Sequence, residues 1–119
     1  MNKNDSFLER YAVAAIAHTQ ATQKGDFIDA NKQYAKLAKY FHQLEKDRSF
    51  AQNFMENAFQ HPNPSVKGWA AAHALGLGVE IEEAIGILQK LSEDKSIGIV
   101  RLDAEMALRE WKRKGKLSF

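Results

Sequence analysis

The sequence predicts an all-α fold, in which an N-terminal helical hairpin is followed by two helix pairs in a short right-handed superhelix. Apolar residues recur every three or four positions along the chain and do not alternate with polar ones, which favours helices over strands. In addition, the segment 65–75 returns as 98–108, an offset of 33 residues (98 − 65). A repeat of this length is typical of stacked helix pairs, which cannot bury their apolar faces alone.

The two copies of the repeat agree at apolar and small positions. The matched pairs are Val66 with Ile99, Ala71 with Ala104, Ala74 with Ala107, and Leu75 with Leu108. Alanine contributes little apolar area, so its role at such positions is to let helices approach closely. We therefore expect Ala71 and Ala104 to be buried at contacts between helices.

The predicted hairpin spans residues 6–47. Ser6 and Glu9 form an S-x-x-E capping box that should start the first helix. Gly25 should end it, since glycine readily takes the left-handed conformation found just past a helix. Asp26 is then a suitable cap for the second helix, whose apolar residues form a heptad stripe.

The first predicted repeat spans residues 49–78. Ser49 and Gln52 form a second capping box, which should start the third helix. The turn His61-Pro62-Asn63-Pro64 should end that helix, because each proline restricts the residue before it. The fourth helix should begin at Pro64 and run to a break at 76–78.

The second predicted repeat spans residues 80–114. Its first helix should run from about Glu80 to about Leu91, followed by a polar loop at 92–98. The last helix should run from about Ile99 to Lys114 and end at Gly115, which is again a natural stop.

Composition indicates one soluble domain covering residues 1–119. The chain has 17 basic and 15 acidic residues, a formal charge of +2, which by itself is too small to indicate nucleic-acid binding. It contains no cysteine, which excludes disulfides, thiol catalysis and cysteine-based metal sites. No continuous apolar stretch suggests a signal peptide or a membrane span. We expect a cytoplasmic protein that is a monomer or a weak homodimer.

The turn and the helix after it resemble a HEAT repeat. The residues that carry the resemblance are His61-Pro62-Asn63-Pro64-Ser65-Val66-Lys67 followed by Ala70-Ala71 and Ala74-Leu75, with a second copy in Val100-Arg101, Ala104 and Ala107-Leu108. From about residue 6 to 114 the chain also resembles a family of small bacterial HEAT-like (ARM-type) proteins of unknown function. Some similar proteins look like toxin-immunity proteins. The resemblance implies protein binding, with a toxin domain as one kind of partner, and it transfers no catalytic residues.

The sequence shows no catalytic constellation, cofactor motif or metal-binding set. The four histidines are isolated, apart from His42 with Glu45 on one helix, and a bundle metal site needs such pairs on facing helices. Longer HEAT-like DNA-repair glycosylases depend on an aromatic and acidic pocket, which we could not assemble from this sequence. We therefore expect a protein that is not an enzyme.

The expected binding residues are Lys67, His73, Arg101, Glu105 and Arg109, on the concave face of the repeats. Arg101, Glu105 and Arg109 share one helical face and could equally pair with one another. The alternative function is a nucleic-acid-binding accessory protein that uses the basic residues of the last helix. We favour the structural interpretation of these residues, since cations at a helix C-terminus complement its dipole.

A stripe of small residues is the remaining unusual feature. Gly68, Ala72 and Gly76 lie at i, i+4 and i+8, although glycine inside a helix costs about 1 kcal/mol relative to alanine. The stripe either accommodates the chain's own second or last helix or forms a groove for a partner.

Overall fold

The computed structural model describes residues 3–119, with side chains from residue 6 onward. This part of the chain forms six α-helices, one 3₁₀ turn and no strand, so the all-α prediction is confirmed. The elements are α1 (Lys3–Lys24), α2 (Phe27–Glu45), α3 (Arg48–Ala58), α4 (Pro64–Leu77), α5 (Ile81–Glu93), the 3₁₀ turn (Lys95–Ile97) and α6 (Ile99–Lys114).

Several predicted helix ends are confirmed. Gly25 follows α1 with a φ of 75°, and Gly115 follows α6 with a φ of 71°. Asp26 caps α2, because its carboxylate accepts a hydrogen bond from the backbone N–H of Asp29 at 3.1 Å. Pro64 is the first residue of α4, whose cap is Asn63.

Both predicted capping boxes are wrong. α1 begins at Lys3, so Ser6 lies inside the helix, where its hydroxyl accepts a hydrogen bond from Arg10 at 2.9 Å. α3 begins at Arg48, and its cap is Asp47, whose carboxylate accepts from the N–H of Phe50 at 3.0 Å. Aspartate caps as well as serine and adds a negative charge at the positive end of the helix dipole.

The break after α4 is shorter than predicted. The helix continues through Gly76 to Leu77 and ends at Gly78, which has a φ of 74°. α5 then begins one residue later than expected, at Ile81, and ends at Glu93. Glu80 precedes it with a φ of 48°, a left-handed conformation uncommon for a residue other than glycine.

α4 is the central helix of the fold. It contacts each of the other five α-helices, while α1 packs mainly on α2, and α5 packs on both α4 and α6. Because neighbouring helices surround much of α4, many of its residues are buried, including Val66, Ala70, Ala71 and Ala74 with no exposed surface. No helix within residues 3–119 is long and apolar enough to cross a membrane.

The repeat positions lie largely in the core. Ala71 is fully buried and its counterpart Ala104 is 3% exposed, which confirms the expected burial of both. Leu75 and its counterpart Leu108 are buried as well. Small side chains at these places let α4 and α6 come close to their neighbours.

Candidate functional site

A cleft lies between the helical hairpin and α6, with α4 at its base. Its volume is about 610 Å³. α1, α2, α4, α5 and α6 all contribute side chains, and the segment 116–119 borders it after α6 ends. Apolar atoms form most of its surface, although charged and hydroxyl-bearing side chains also line it. A concave, largely apolar cleft of this size is the usual form of a binding site.

One face of α6 forms a long wall of this cleft. Asp103, Ala107, Glu110 and Lys114 line it and lie three or four residues apart, so they follow one another along the helix. At a rise of 1.5 Å per residue, the backbone distance from Asp103 to Lys114 is about 16 Å. The cleft is therefore elongated, with an acidic residue at one end of this wall and a basic residue at the other.

The small residues of α4 form part of the base. Gly68 and Ala72 both line the cleft. A Cβ atom on Gly68 would lie 3.6 Å from Leu91 and 3.8 Å from Val100, which are ordinary contacts. Side chains of α5 and α6 therefore already lie at contact distance beside Gly68, which itself lines the cleft.

The third member of the stripe has a different role. A Cβ atom on Gly76 would lie 3.0 Å from the ring of Phe41, 3.0 Å from the carbonyl oxygen of Leu117 and 3.2 Å from the ring of Phe119. The chain's own α2 and its segment after α6 pack at the Gly76 end, and side chains of α5 and α6 pack beside the Gly68 end, which also borders the cleft. The stripe therefore accommodates the chain's own helices, and its use as a groove for a partner stays a prediction.

Three rings form an aromatic corner of the cleft, defined here as His18, Tyr34 and Trp69. The ring centroids of His18 and Trp69 are 5.1 Å apart at an angle of 86°, and those of Tyr34 and Trp69 are 5.8 Å apart at 67°. His18 and Tyr34 are 6.4 Å apart. These edge-to-face arrangements fix the rings relative to one another. Tyr34 is 42% exposed, so its ring is accessible from the cleft.

Asp103 and His18 influence each other's charge across the cleft. Partial burial raises the pKa of the Asp103 carboxyl, although the nearby His18 opposes that rise. Burial lowers the pKa of His18, although Asp103 opposes that fall. Within the described residues Asp103 has no hydrogen-bond or ion-pair partner. At neutral pH the cleft therefore holds a carboxylate beside a largely neutral imidazole.

Two hydroxyl groups at the base of the cleft form a hydrogen bond with each other. Thr19 Oγ1 and Ser65 Oγ are 2.7 Å apart and link α1 to the start of α4. This bond holds the two helices that carry His18 and Trp69, so it supports the aromatic corner.

His73 lies outside the cleft, in the core beneath the aromatic corner. It has no exposed surface, and its Nδ1 atom is 2.7 Å from the hydroxyl of Tyr11. Its Nε2 atom is buried without a hydrogen-bond partner. Burial, together with the nearby His42, lowers the pKa of His73 to about 3. The expectation that His73 contacts a partner is therefore wrong, because the packing of Phe41, Trp69 and Phe119 around it leaves no accessible atom.

The other expected binding residues also lie outside the cleft. Lys67 is partly exposed on α4 and does not line it. Arg101, Glu105 and Arg109 follow the side of α6 opposite the cleft wall, since each residue advances a helix by about 100°. Their charges pair as the sequence allowed: Glu105 lies 3.9 Å from Arg101 and 3.2 Å from Arg109.

The basic end of α6 is also partly paired. Glu110 lies 2.8 Å from Arg113 and 3.1 Å from Lys114, and these contacts lower the pKa of its carboxyl. Such exposed pairs contribute little to stability. They do reduce the positive charge available for phosphate groups at this end of the protein.

Sequence reasoning missed His18, Tyr34 and Asp103, which the fold brings together from three helices. With Trp69 they line the cleft. One signal was available: Asp103 occupies the position that corresponds to Ala70 in the other copy (103 − 33 = 70). Ala70 is fully buried whereas Asp103 is exposed, so the two copies of the repeat differ at this position.

Comparison with family models, curated proteins and solved structures finds no match to this chain. Among the described side chains, those of residues 6–119, no group of three or more His, Asp or Glu is placed to hold a metal ion. The function is therefore inferred from the geometry of the cleft.

Proposed function

We propose that this protein is a non-enzymatic binding module that holds an extended segment of another protein in the cleft. The observation that carries the proposal is the shape of the cleft, which is about 16 Å long along α6, with small residues at its base and aromatic rings at one side. At about 3.4 Å per residue, an extended segment of roughly five residues matches this length.

The chemistry of the lining suits a peptide. Met106, at the mouth, is 59% exposed and lines the cleft beside the aromatic corner. Methionine and aromatic side chains adapt to varied apolar partners, and both are enriched in protein interfaces. When a segment buries its apolar side chains in the cleft, the hydrophobic effect stabilises the complex, and the core of the protein does not have to rearrange.

The finer architecture is part of the same proposal. In it, α3 with α4 and α5 with α6 are two HEAT-like pairs, stacked on the α1–α2 hairpin in a right-handed superhelix. The burial of matched positions in α4 and α6 supports this arrangement. Repeats of this kind present an extended binding surface, and a bacterial toxin domain is one class of partner that the family resemblance implies.

Selection of peptides from a phage-displayed library of linear sequences tests the proposal. Calorimetry then measures the binding of the enriched peptides to the parent protein and to two tryptophan variants. Ala107→Trp fills the cleft from α6, whereas Leu102→Trp places the same side chain outside it, at a residue that is 47% exposed. Melting temperatures show that both variants are folded.

We expect the selected peptides to bind the parent protein and Leu102→Trp but not Ala107→Trp. Equal binding to Ala107→Trp, or a selection that enriches no peptide, contradicts the proposal. A double variant, Arg101→Glu with Arg109→Glu, separates the two surfaces. If it abolishes binding and Ala107→Trp does not, the charged face of α6 is the binding surface.

A further inference from the structure

The aromatic corner and Asp103 together form an environment that favours a cation. The faces of tryptophan and tyrosine rings carry partial negative charge and attract cations that lie within about 6 Å of their centroids. Asp103 adds a full negative charge at the same end of the cleft and has no ion-pair partner among residues 6–119. His18, the other titratable side chain there, does not supply the missing positive charge at neutral pH, because burial lowers its pKa.

We propose that the partner segment inserts an arginine side chain between the aromatic corner and Asp103. The inference rests on the proposed function and specifies the chemistry of the partner. The planar guanidinium group of arginine stacks on aromatic rings and donates two parallel hydrogen bonds to a carboxylate. It is also less strongly hydrated than an ammonium group, so it loses less on entering a partly enclosed cleft.

The cleft has room for such a side chain. Its volume is about 610 Å³, and Gly68 and Ala72, which have little or no side chain, line it together with Trp69 of the same helix. The hydroxyls of Thr19 and Ser65 bond to each other and do not compete for the carboxylate.

The basic residues at the far end do not oppose this placement. Lys114 lies about 16 Å along α6 from Asp103, beyond the screening length of about 8 Å at physiological ionic strength. It is also paired with Glu110 at 3.1 Å. Repulsion between Lys114 and the inserted guanidinium is therefore weak, and the positive end of the cleft suits a neutral or acidic residue of the same segment.

The test uses two blocked pentapeptides, acetyl-Gly-Gly-Arg-Gly-Gly-amide and the same peptide with citrulline. Citrulline has nearly the same shape as arginine but no charge. Backbone and indole N–H signals of ¹⁵N-labelled protein are followed by NMR, which detects millimolar binding. We expect the arginine peptide to shift the signals of Gly68 and Trp69, and the citrulline peptide to bind at least about tenfold more weakly.

Two carboxyl variants on the same helix provide matched controls. Asp103→Asn should weaken binding of the arginine peptide by at least about tenfold, because it removes the charge and keeps the shape. Glu105→Gln, on the opposite side of α6, should leave it unchanged. Tyr34→Leu, at an exposed position, should also weaken binding without unfolding the protein.

Three results overturn the inference. They are equal binding of the citrulline peptide, unchanged binding to Asp103→Asn, and no shift with the arginine peptide. If library-selected peptides still bind in the cleft in any of these cases, the proposed function stands and only the arginine is wrong. If agmatine, a guanidinium compound with no peptide group, binds as tightly as the pentapeptide, the ligand is a small cation and not a protein segment.

Discussion

Tyr11 of α1 and His73 of α4 share a fully buried hydrogen bond of 2.7 Å across 62 residues of sequence. The aromatic rings of Phe41, Phe54, Trp69 and Phe119 surround the two side chains. Burial raises the pKa of Tyr11 and lowers that of His73, so both groups are neutral at neutral pH. The bond links the hairpin to the central helix directly below the cleft.

Removing one partner of this bond should destabilise the protein more than removing both. Tyr11→Phe leaves His73 Nδ1 buried without a hydrogen-bond partner, and we expect a loss of about 1–3 kcal/mol in the free energy of unfolding. His73→Phe alone leaves the Tyr11 hydroxyl unpaired. Urea denaturation of both single variants and the double variant measures the coupling. Strictly additive losses would show that the bond contributes nothing beyond packing.

The buried His73 should also make stability depend on pH. Its pKa of about 3 in the folded protein lies below the ordinary value of 6.5 for histidine, so the unfolded chain binds a proton that the folded protein does not. The stability that the buried, neutral His73 contributes is fully present above about pH 6.5 and is lost as the pH falls towards 3. From about pH 7 to about pH 5 we expect a loss of about 2 kcal/mol.

The control for this dependence is His73→Phe, which should remove most of it. His18 acts in the same direction, because its folded pKa is also lowered, so His18→Gln measures the remainder. Asp103 has the opposite effect on stability. Its pKa is raised in the folded protein, so the stability that it contributes is lost as the pH rises through that pKa. An unchanged pH dependence in His73→Phe would contradict the assignment.

Two glycines inside helices should respond differently to alanine. Gly86 of α5 has open space around it, so Gly86→Ala should raise the free energy of unfolding by about 0.5–1 kcal/mol, because alanine is the better helix former. Gly76→Ala places a methyl group 3.0 Å from Phe41 and from the backbone of Leu117. We expect it to be at least about 1 kcal/mol less stable than Gly86→Ala, since overpacking offsets the gain. Equal stabilisation of the two variants would mean that the segment after α6 does not rest on Gly76.

The matched alanines of the repeat should not accept larger side chains. Ala71 is fully buried and Ala104 nearly so, and replacing either with leucine should cost roughly 1–3 kcal/mol through overpacking. Thermal unfolding of each variant measures this cost. If both melt at the temperature of the parent protein, the register of the repeat is incorrect.

Local signals predicted the fold better than the cleft. Gly25, Gly78 and Gly115 each follow a helix in the left-handed conformation, a preference that depends on the glycine itself. The start of α3 was misplaced because two residue types compete for the same role, and Asp47 caps the helix before Ser49 can. The presence of a helix could be predicted from the local sequence, whereas the choice between two neighbouring capping residues could not.

The rotation of α6 about its own axis could not be read from its sequence. The helix carries a charged face with Arg101, Glu105 and Arg109, and another face with Asp103 and Ala107. Only the packing of α6 against α4 and α5 decides which of the two lies at the cleft. The aromatic corner could not be predicted from the sequence for the same reason. Its rings come from three helices, and the relative positions of those helices depend on the whole core.

The central position of α4 bears on how this protein unfolds. In a long repeat array each unit contacts only its neighbours, so units can be removed or can melt one after another. Here every other α-helix rests on α4, and loss of that one helix removes support from both the hairpin and the α5–α6 pair. The chain should consequently behave as a single cooperative unit, in which neither half retains native structure once separated from the other.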